Sequence, residues 1–287
     1  MIVEEIKSSK ECKVSNLISE KFSQLSYGEV QKLLRNKDVK INGKRIAKDC
    51  LIGVDDVVQI YLKEEQISHQ FKIIFEDENL VVVFKPRKIE TVSDDDVCLN
   101  VLLEKQLNQK LFAVHRLDRN TEGLVVFAKN LESKSELDFA FKHRTIDKFY
   151  LAYVYGSLKK KSDELVAYLK KDAEKSVVHI LDNPERGYEE IQTNYKVLKE
   201  LDNSSLLEVE LVTGKTHQIR AHLAHINHFV IGDEKYGDSK INKLFKKKFQ
   251  CLCAYKIIFH FEKGVLKYLD GKEISLAFDE IDFCKNM

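Results

Sequence analysis

HRLDRNTEGLVVFAKN (residues 115–130) places one carboxylate, Asp118, between Arg116 and Arg119 and follows it with a strand-length apolar run. A surface ion pair is the plain reading, and such a pair contributes little. The sharper reading is a carboxylate kept ionised by guanidinium groups because it acts as a nucleophile. If the segment is extended, Arg116 lies two positions from Asp118 and on the same side.

Working outward, FKIIFEDENLVVVFKP (71–86) shows two apolar runs split by EDEN, predicting strand, turn and buried strand. VCLNVLLEKQLNQ and LESKSELDFAFKHR have helical spacing, KFYLAYVYG alternates as a strand does, and LLEVELV predicts another strand. HQIRAHLAHIN is helical through Ile219, Leu223 and Ile226, and CLCAYKIIFHF and KEISLAF close with strands. Strands outnumber helices and several pair antiparallel, so the larger part is expected to be α+β, with a mixed, largely antiparallel sheet. Tight turns are expected at Gly123 and Gly214.

Residues 1–62, with a core at 15–62, read as a separate small α/β unit, 63–70 (KEEQISHQ) as a linker, and 71–287 as the main domain. In the small unit, SYGEVQKLLRN is helical and Asn42-Gly43 marks a hairpin. Lys32, Arg35, Lys37, Lys40, Lys44 and Arg45 cluster there with Asp38 as the acid among them. A solvated face and a phosphate-tracking patch both fit that charge run.

The chain of 287 residues carries a net charge of +1, so nucleic-acid binding has to come from local patches. The first ten residues lack the apolar segment of a secretory signal, and the longest apolar runs are too short to span a bilayer. A cytoplasmic protein with reduced thiols is expected; Cys251 and Cys253 form a C-x-C pair, with no C-x-x-C.

Three other chemistries have to be weighed. His217, His222, His225 and His228 crowd together, but the last three fall at i, i+3, i+6 with no acid between, so no metal site is expected. Gly214-Lys215-Thr216 resembles the end of a phosphate loop, yet Val209 stands where its first glycine belongs. Asp94, Asp95 and Asp96 lack spaced oxygen partners and read as a solvated loop.

HRLDRNTEG, then KFYLAYVYG, then TGKTHQIRAHLAHINHFVIGDEKYG occur in that order, and together they resemble the RluA-type pseudouridine synthases over most of residues 71–260. LLRNKDVKINGKRI with the strand of Asp56–Leu62 resembles the alpha-L RNA-binding fold. Departures are Asn120, Glu122, Phe229, and Lys88 where the family pattern has glycine. The resemblance implies isomerisation of a base-flipped uridine in RNA to its C-glycoside, without a cofactor. It implies Asp118 as nucleophile, Arg220 holding it, and Tyr150 stacking on the uracil with its hydroxyl near C5. It further implies RNA or loop contacts by Arg116, His115, Lys148, Lys215 and His217. Large-subunit ribosomal RNA is the favoured substrate and transfer RNA the second, with the protein acting as a monomer. A non-catalytic RNA-binding protein is the rival class.

Overall fold

The computed structural model describes residues 2–22, 25, 27–62, 71–93 and 98–285. The expected linker at 63–70 and the aspartates 94–96 lie outside the described residues.

The first elements are β1 (Ile2–Lys7), β2 (Cys12–Lys13), α1 (Val14–Lys21), α2 (Tyr27–Arg35), β3 (Val39–Ile41), β4 (Lys44–Ile46), β5 (Leu51–Ile52) and β6 (Val57–Leu62). They build a small antiparallel sheet in the order β1-β6-β3-β4, backed by the two helices, while β2 pairs with β5. Asn42 and Gly43, at φ 49° and 80°, make the β3–β4 turn, because two positive φ values match the twist of the strands they join. β1 pairs with β6 from Ile2↔Leu62 to Lys7↔Val57, so this sheet begins well ahead of the core expected from residue 15. Short, charged strands such as IVEEIK carry too little apolar alternation to be read from sequence alone.

The remainder runs β7 (Lys72–Glu76), β8 (Leu80–Lys85), α3 (Leu99–Leu107), β9 (Phe112–Ala113), β10 (Glu122–Ala128), α4 (Leu131–His143), β11 (Ile146–Tyr155), β12 (Ser162–Asp172), β13 (Val177–Leu181), β14 (Glu189–Leu201), β15 (Ser204–Leu211), α5 (Gln218–His225), α6 (Ser239–Leu244), β16 (Leu252–Phe259) and β17 (Glu273–Ser275). Its sheet is ordered β13-β12-β14-β15-β11-β16-β10-β8-β7, with β9 beside β10 and β17 beside β16. β10 and β16 run parallel and the other pairs antiparallel.

The centre of this sheet is buried on both faces, and period-two alternation divides its side chains between two cores. Leu124 and Val126 of β10 join Leu151 and Cys253 on one face, under Leu137 and Ala140 of α4. Val125 and Phe127 join Tyr150, Ala152 and Leu252 on the other, under Leu99 of α3 and Ile219 and Leu223 of α5. α4 starts at Asn130, whose side chain accepts from Ser133 N, and stops at Arg144 in the left-handed region.

Gly123 lies within β10 rather than in the tight turn expected of it. A Cβ there would sit 2.2 Å from the Ala254 carbonyl oxygen, and φ is 123°. The parallel contact between β10 and β16 therefore requires glycine. Gly214 has no positive φ, and a Cβ added there would meet nothing within 4 Å, so the turn expected at 214 makes no such demand. Gly123→Ala is expected to cost about 3 kcal/mol, the upper end of overpacking, read as a lower urea midpoint, while Gly214→Ala leaves the midpoint unchanged.

Candidate active site

A cavity of about 550 Å³ opens on the face that α5 covers, and Asp118, Tyr150, Lys148, His217 and Arg220 all line it. Sequence places these residues up to 102 positions apart. Three local devices bring them together.

The first is the segment 115–121, tied inward at alternate residues. His115 Nε2 accepts from Val126 N at 2.9 Å, and its ring stacks on Phe141 at 4.5 Å. Leu117 N donates to the buried Thr91 hydroxyl at 3.1 Å. The Arg119 carbonyl accepts from Lys85 Nζ at 3.2 Å, and Thr121 Oγ1 accepts from Gln250. Arg116 and Asp118, the residues between, line the cavity. Lys85 is fully buried and also donates to the carbonyls of Pro86 and Ile89 at 3.0 and 2.9 Å. Burial pushes its pKa down to about 7, against the opposing pull of Asp118 and Glu122.

The second is a register shift between β11 and β16 at Phe149/Tyr150. Such bulges re-aim a side chain, and here the bulge falls at the tyrosine that faces the cavity. Burial, reinforced by Asp118, raises the Tyr150 pKa, so it is a neutral phenol. Lys148, two residues earlier on β11, is buried, and desolvation lowers its pKa. It makes no ion pair among the described residues, and the pull of Asp147 only partly offsets the desolvation.

The third is the loop into α5. Gln218 accepts from Thr213 Oγ1 at 2.8 Å and Lys215 N at 3.1 Å, and donates to Gln192 O and Thr193 Oγ1. This fixes the start of α5, from which Arg220 reaches the cavity. Its Nη1 donates to Asp118 Oδ2 at 2.8 Å. Its Nε and Nη2 fork onto Asp233, at 2.6 and 3.0 Å. Asp233 is fully buried, and its Oδ1 also accepts the backbone N–H groups of Lys235 and Tyr236. Burial opposes the charge on Arg220, but the bonds to Asp233 and Asp118 outweigh it and raise the pKa. Asp118 Oδ1 has no hydrogen-bond partner among the described residues and is left to the cavity.

The arginines beside Asp118 in sequence are not its partners. Arg116 is exposed at the rim and Arg119 turns to the Lys88 carbonyl; the ion pair comes from Arg220, one hundred residues on. Lys215 is taken up by Glu189. His115 braces the loop. Among the four clustered histidines, His217 meets Tyr236, His222 meets Thr193, His225 meets Asp182 and His228 meets the Tyr155 carbonyl. Asp233, Tyr236, Gln218, Thr91 and Lys85 were not singled out from sequence. The first three sit inside the quoted TGKTHQIR and VIGDEKYG stretches, so the signal was present but unassigned.

Lys32 and Arg35 end α2, Lys37 follows in the turn before β3, and Lys40, Lys44 and Arg45 lie on the β3–β4 hairpin. Lys40 and Arg45 both stack over Tyr61 of β6, at 5.0 and 4.9 Å.

Residues 79–225 match the family model for RNA pseudouridylate synthase. A protein from Mycoplasma capricolum, called an uncharacterized RNA pseudouridine synthase, is 32% identical over 85% of this chain and 87% of its own length. The ribosomal large subunit pseudouridine synthase C of Rickettsia bellii is 31% identical over 88% of this chain and 89% of its own. The structure of human RNA pseudouridylate synthase domain containing 1 superposes with a TM-score of 0.62, at 21% identity, over 75% of this chain and 87% of that one, which shows a shared fold.

Two outcomes test this description. Asp233→Ala leaves the Arg220 charge buried and half-paired, which costs about 3–5 kcal/mol, measured by urea unfolding. Burial, aided by Lys148, pushes the His115 pKa down to about 3 from 6.5. Above pH 6.5 the imidazole is neutral whether folded or unfolded. Below it the unfolded chain takes up a proton that the folded chain refuses, so stability falls as pH drops from 6.5 toward 3. His115→Gln keeps an acceptor for Val126 N and flattens that part of the stability–pH curve.

Proposed function

The chain belongs to the RNA pseudouridylate synthase family, of the RluA type, and we propose that it isomerises uridines of large-subunit ribosomal RNA with Asp118 as nucleophile. The observation that carries this is the division of labour within one carboxylate. Oδ2 is held by Arg220, itself anchored on buried Asp233, while Oδ1 faces the cavity. A nucleophile needs that arrangement: fixed in orientation, with one lone-pair-bearing atom left unbound.

Asp118 acts at the sugar of a uridine flipped from its stack. The N1–C1′ bond breaks, the uracil turns within the cavity, and C5 bonds to C1′. C5 loses a proton and N1 gains one, so the reaction balances without an added group. Tyr150 supplies the ring surface for the uracil, and as a neutral phenol its hydroxyl is a hydrogen-bond donor to the base. Lys148 and Arg116 are the cations with which the cavity meets the backbone phosphates, and Lys215 and His217 flank them.

The small sheet is proposed as an RNA-binding unit, since its six clustered cations lie on one helix end and one hairpin beside Tyr61. The name of the Rickettsia bellii relative favours the large ribosomal subunit over transfer RNA. The protein is proposed to act as a monomer. No helix among the described residues is long and apolar enough to cross a membrane.

Tritium release from C5-labelled uridine in unmodified large-subunit transcripts is expected with the wild type and absent with folded Asp118→Ala. Equal release by both removes Asp118 from the mechanism, and release from transfer RNA alone reassigns the substrate. Lys40→Ala/Arg45→Ala is expected to raise KM with kcat unchanged, and to flatten the dependence of KM on salt, as loss of two phosphate contacts requires.

A further inference from the structure

His217 and Tyr236 form a second approach to Asp118. His217 is the cap of α5 and has left-handed backbone, φ 54° and ψ 15°, without a capping bond from its side chain. That conformation is uncommon outside glycine, and it points the ring sideways, toward the cavity and the 233–237 loop. Its Nδ1 lies 2.9 Å from the Tyr236 hydroxyl, and its Nε2 lies 3.9 Å from Asp118 Oδ2. The same hydroxyl accepts the backbone N–H of Val178, on β13, at 2.9 Å.

The proton count decides the roles. A phenol has one hydrogen to donate. Val178 N–H already donates to the Tyr236 oxygen, and the acceptor available to the phenol hydrogen among the described residues is His217 Nδ1. Burial raises the Tyr236 pKa, so that hydrogen is retained, and burial lowers the His217 pKa despite Asp118, so the imidazole is neutral. A neutral imidazole that accepts at Nδ1 carries its own hydrogen at Nε2, the atom facing Asp118.

We infer that Tyr236 sets the tautomer of His217 so that its Nε2–H is aimed at Asp118 Oδ2, making His217 a positioning residue for the nucleophile. The inference rests on the reading of Asp118 as nucleophile. At 3.9 Å the contact is longer than a hydrogen bond, and a small ring rotation on RNA binding closes it, as happens where active-site bonds tighten only in the substrate complex. Two donors on Oδ2 then fix the carboxylate plane and leave Oδ1 as the attacking atom. A neutral donor does this without the second full positive charge that would weaken the nucleophile. The device also links β13, through Val178 and Tyr236, to the reacting carboxylate.

The test pairs a spectrum with kinetics. Long-range 1H–15N correlation of 15N-histidine-labelled enzyme is expected to show His217 in the Nε2–H form, and Tyr236→Phe to shift it toward Nδ1–H. His217→Gln, whose amide nitrogen replaces Nε2, is expected to keep kcat for tritium release within about threefold. His217→Leu is expected to lower kcat about 10- to 100-fold, the worth of one hydrogen bond to a charged group, with KM little changed and the urea midpoint near that of His217→Gln. An Nδ1–H form in the wild type, a tautomer indifferent to Tyr236→Phe, an unchanged kcat in His217→Leu, or a loss confined to KM each overturns the inference. Asp118→Ala is measured alongside: full release by that variant defeats the nucleophile reading itself, while the tautomer spectrum still judges the Tyr236–His217 pair.

Discussion

Everything in the cavity depends on one guanidinium serving two carboxylates. Arg220 forks onto Asp233 with two nitrogens and gives its third to Asp118. A lysine ammonium has no such planar fork and could not hold both in fixed directions. The cost of burying Arg220 and Asp233 is met by saturation: Asp233 Oδ1 gathers three donors, two of them backbone N–H groups. The chain reaches that geometry through Gly232, at φ 85°, where a Cβ would lie 2.0 Å from the Phe249 carbonyl oxygen. The backbone thus approaches too closely for any other residue, and the motif VIGDEKYG reads as a demand for that approach followed by the acid it delivers.

The loop before β10 shows the same economy in one dimension. Residues 115, 117, 119 and 121 are fastened to the structure beneath, and Arg116 and Asp118 line the cavity with His115, Leu117 and Thr121. Two of those fastenings come from the end of β8 and the segment after it. Lys85 and Thr91 lie at 0% exposure and hold the loop by its backbone, without competing for the carboxylate. Lys88 in that segment has φ 69°, which gives a physical reason for the glycine of the family pattern at its place. Glu122, another departure, is buried and paired with Arg87 at 2.5 Å.

The elements that sequence revealed are those with strong periodicity or strong turn chemistry. The runs around β8, β10, β11 and β16 are apolar on both faces, and Asn42-Gly43 has a single good conformation. β12 and β14, long and half-exposed, alternate too weakly among lysines and glutamates to be seen. Asp118, Tyr150 and Arg220 were found through motif resemblance, and the structure brings all three to one cavity. The partner of Asp118 was misjudged wherever proximity in sequence was the guide: Arg116 and Arg119 are near along the chain, but the loop's fastening turns Arg119 toward the Lys88 carbonyl. Partnership across one hundred residues is a property of tertiary packing, and no local rule contains it.

On the proposed reading, the site must also bring a carboxylate against a polyanion. The triad of Asp118, Arg220 and Asp233 carries a net negative charge, which repels phosphate. Lys148 and Arg116 line the same cavity, and Lys85 lies beneath the loop that carries Asp118. Desolvation lowers the pKa values of both lysines, against the pull of Asp118, Glu122 and Glu90 on Lys85 and of Asp147 on Lys148. On the proposed reading, a phosphodiester beside Lys148 adds to that pull and favours its charged form. The chain as a whole is nearly neutral, at +1, so long-range attraction is weak and attraction comes from local patches, the cavity cations and those of the small sheet, each reaching about 10 Å near physiological salt. Selectivity for a strand that can enter the cavity, over any polyanion that merely passes, follows from keeping the cations that close to the carboxylate.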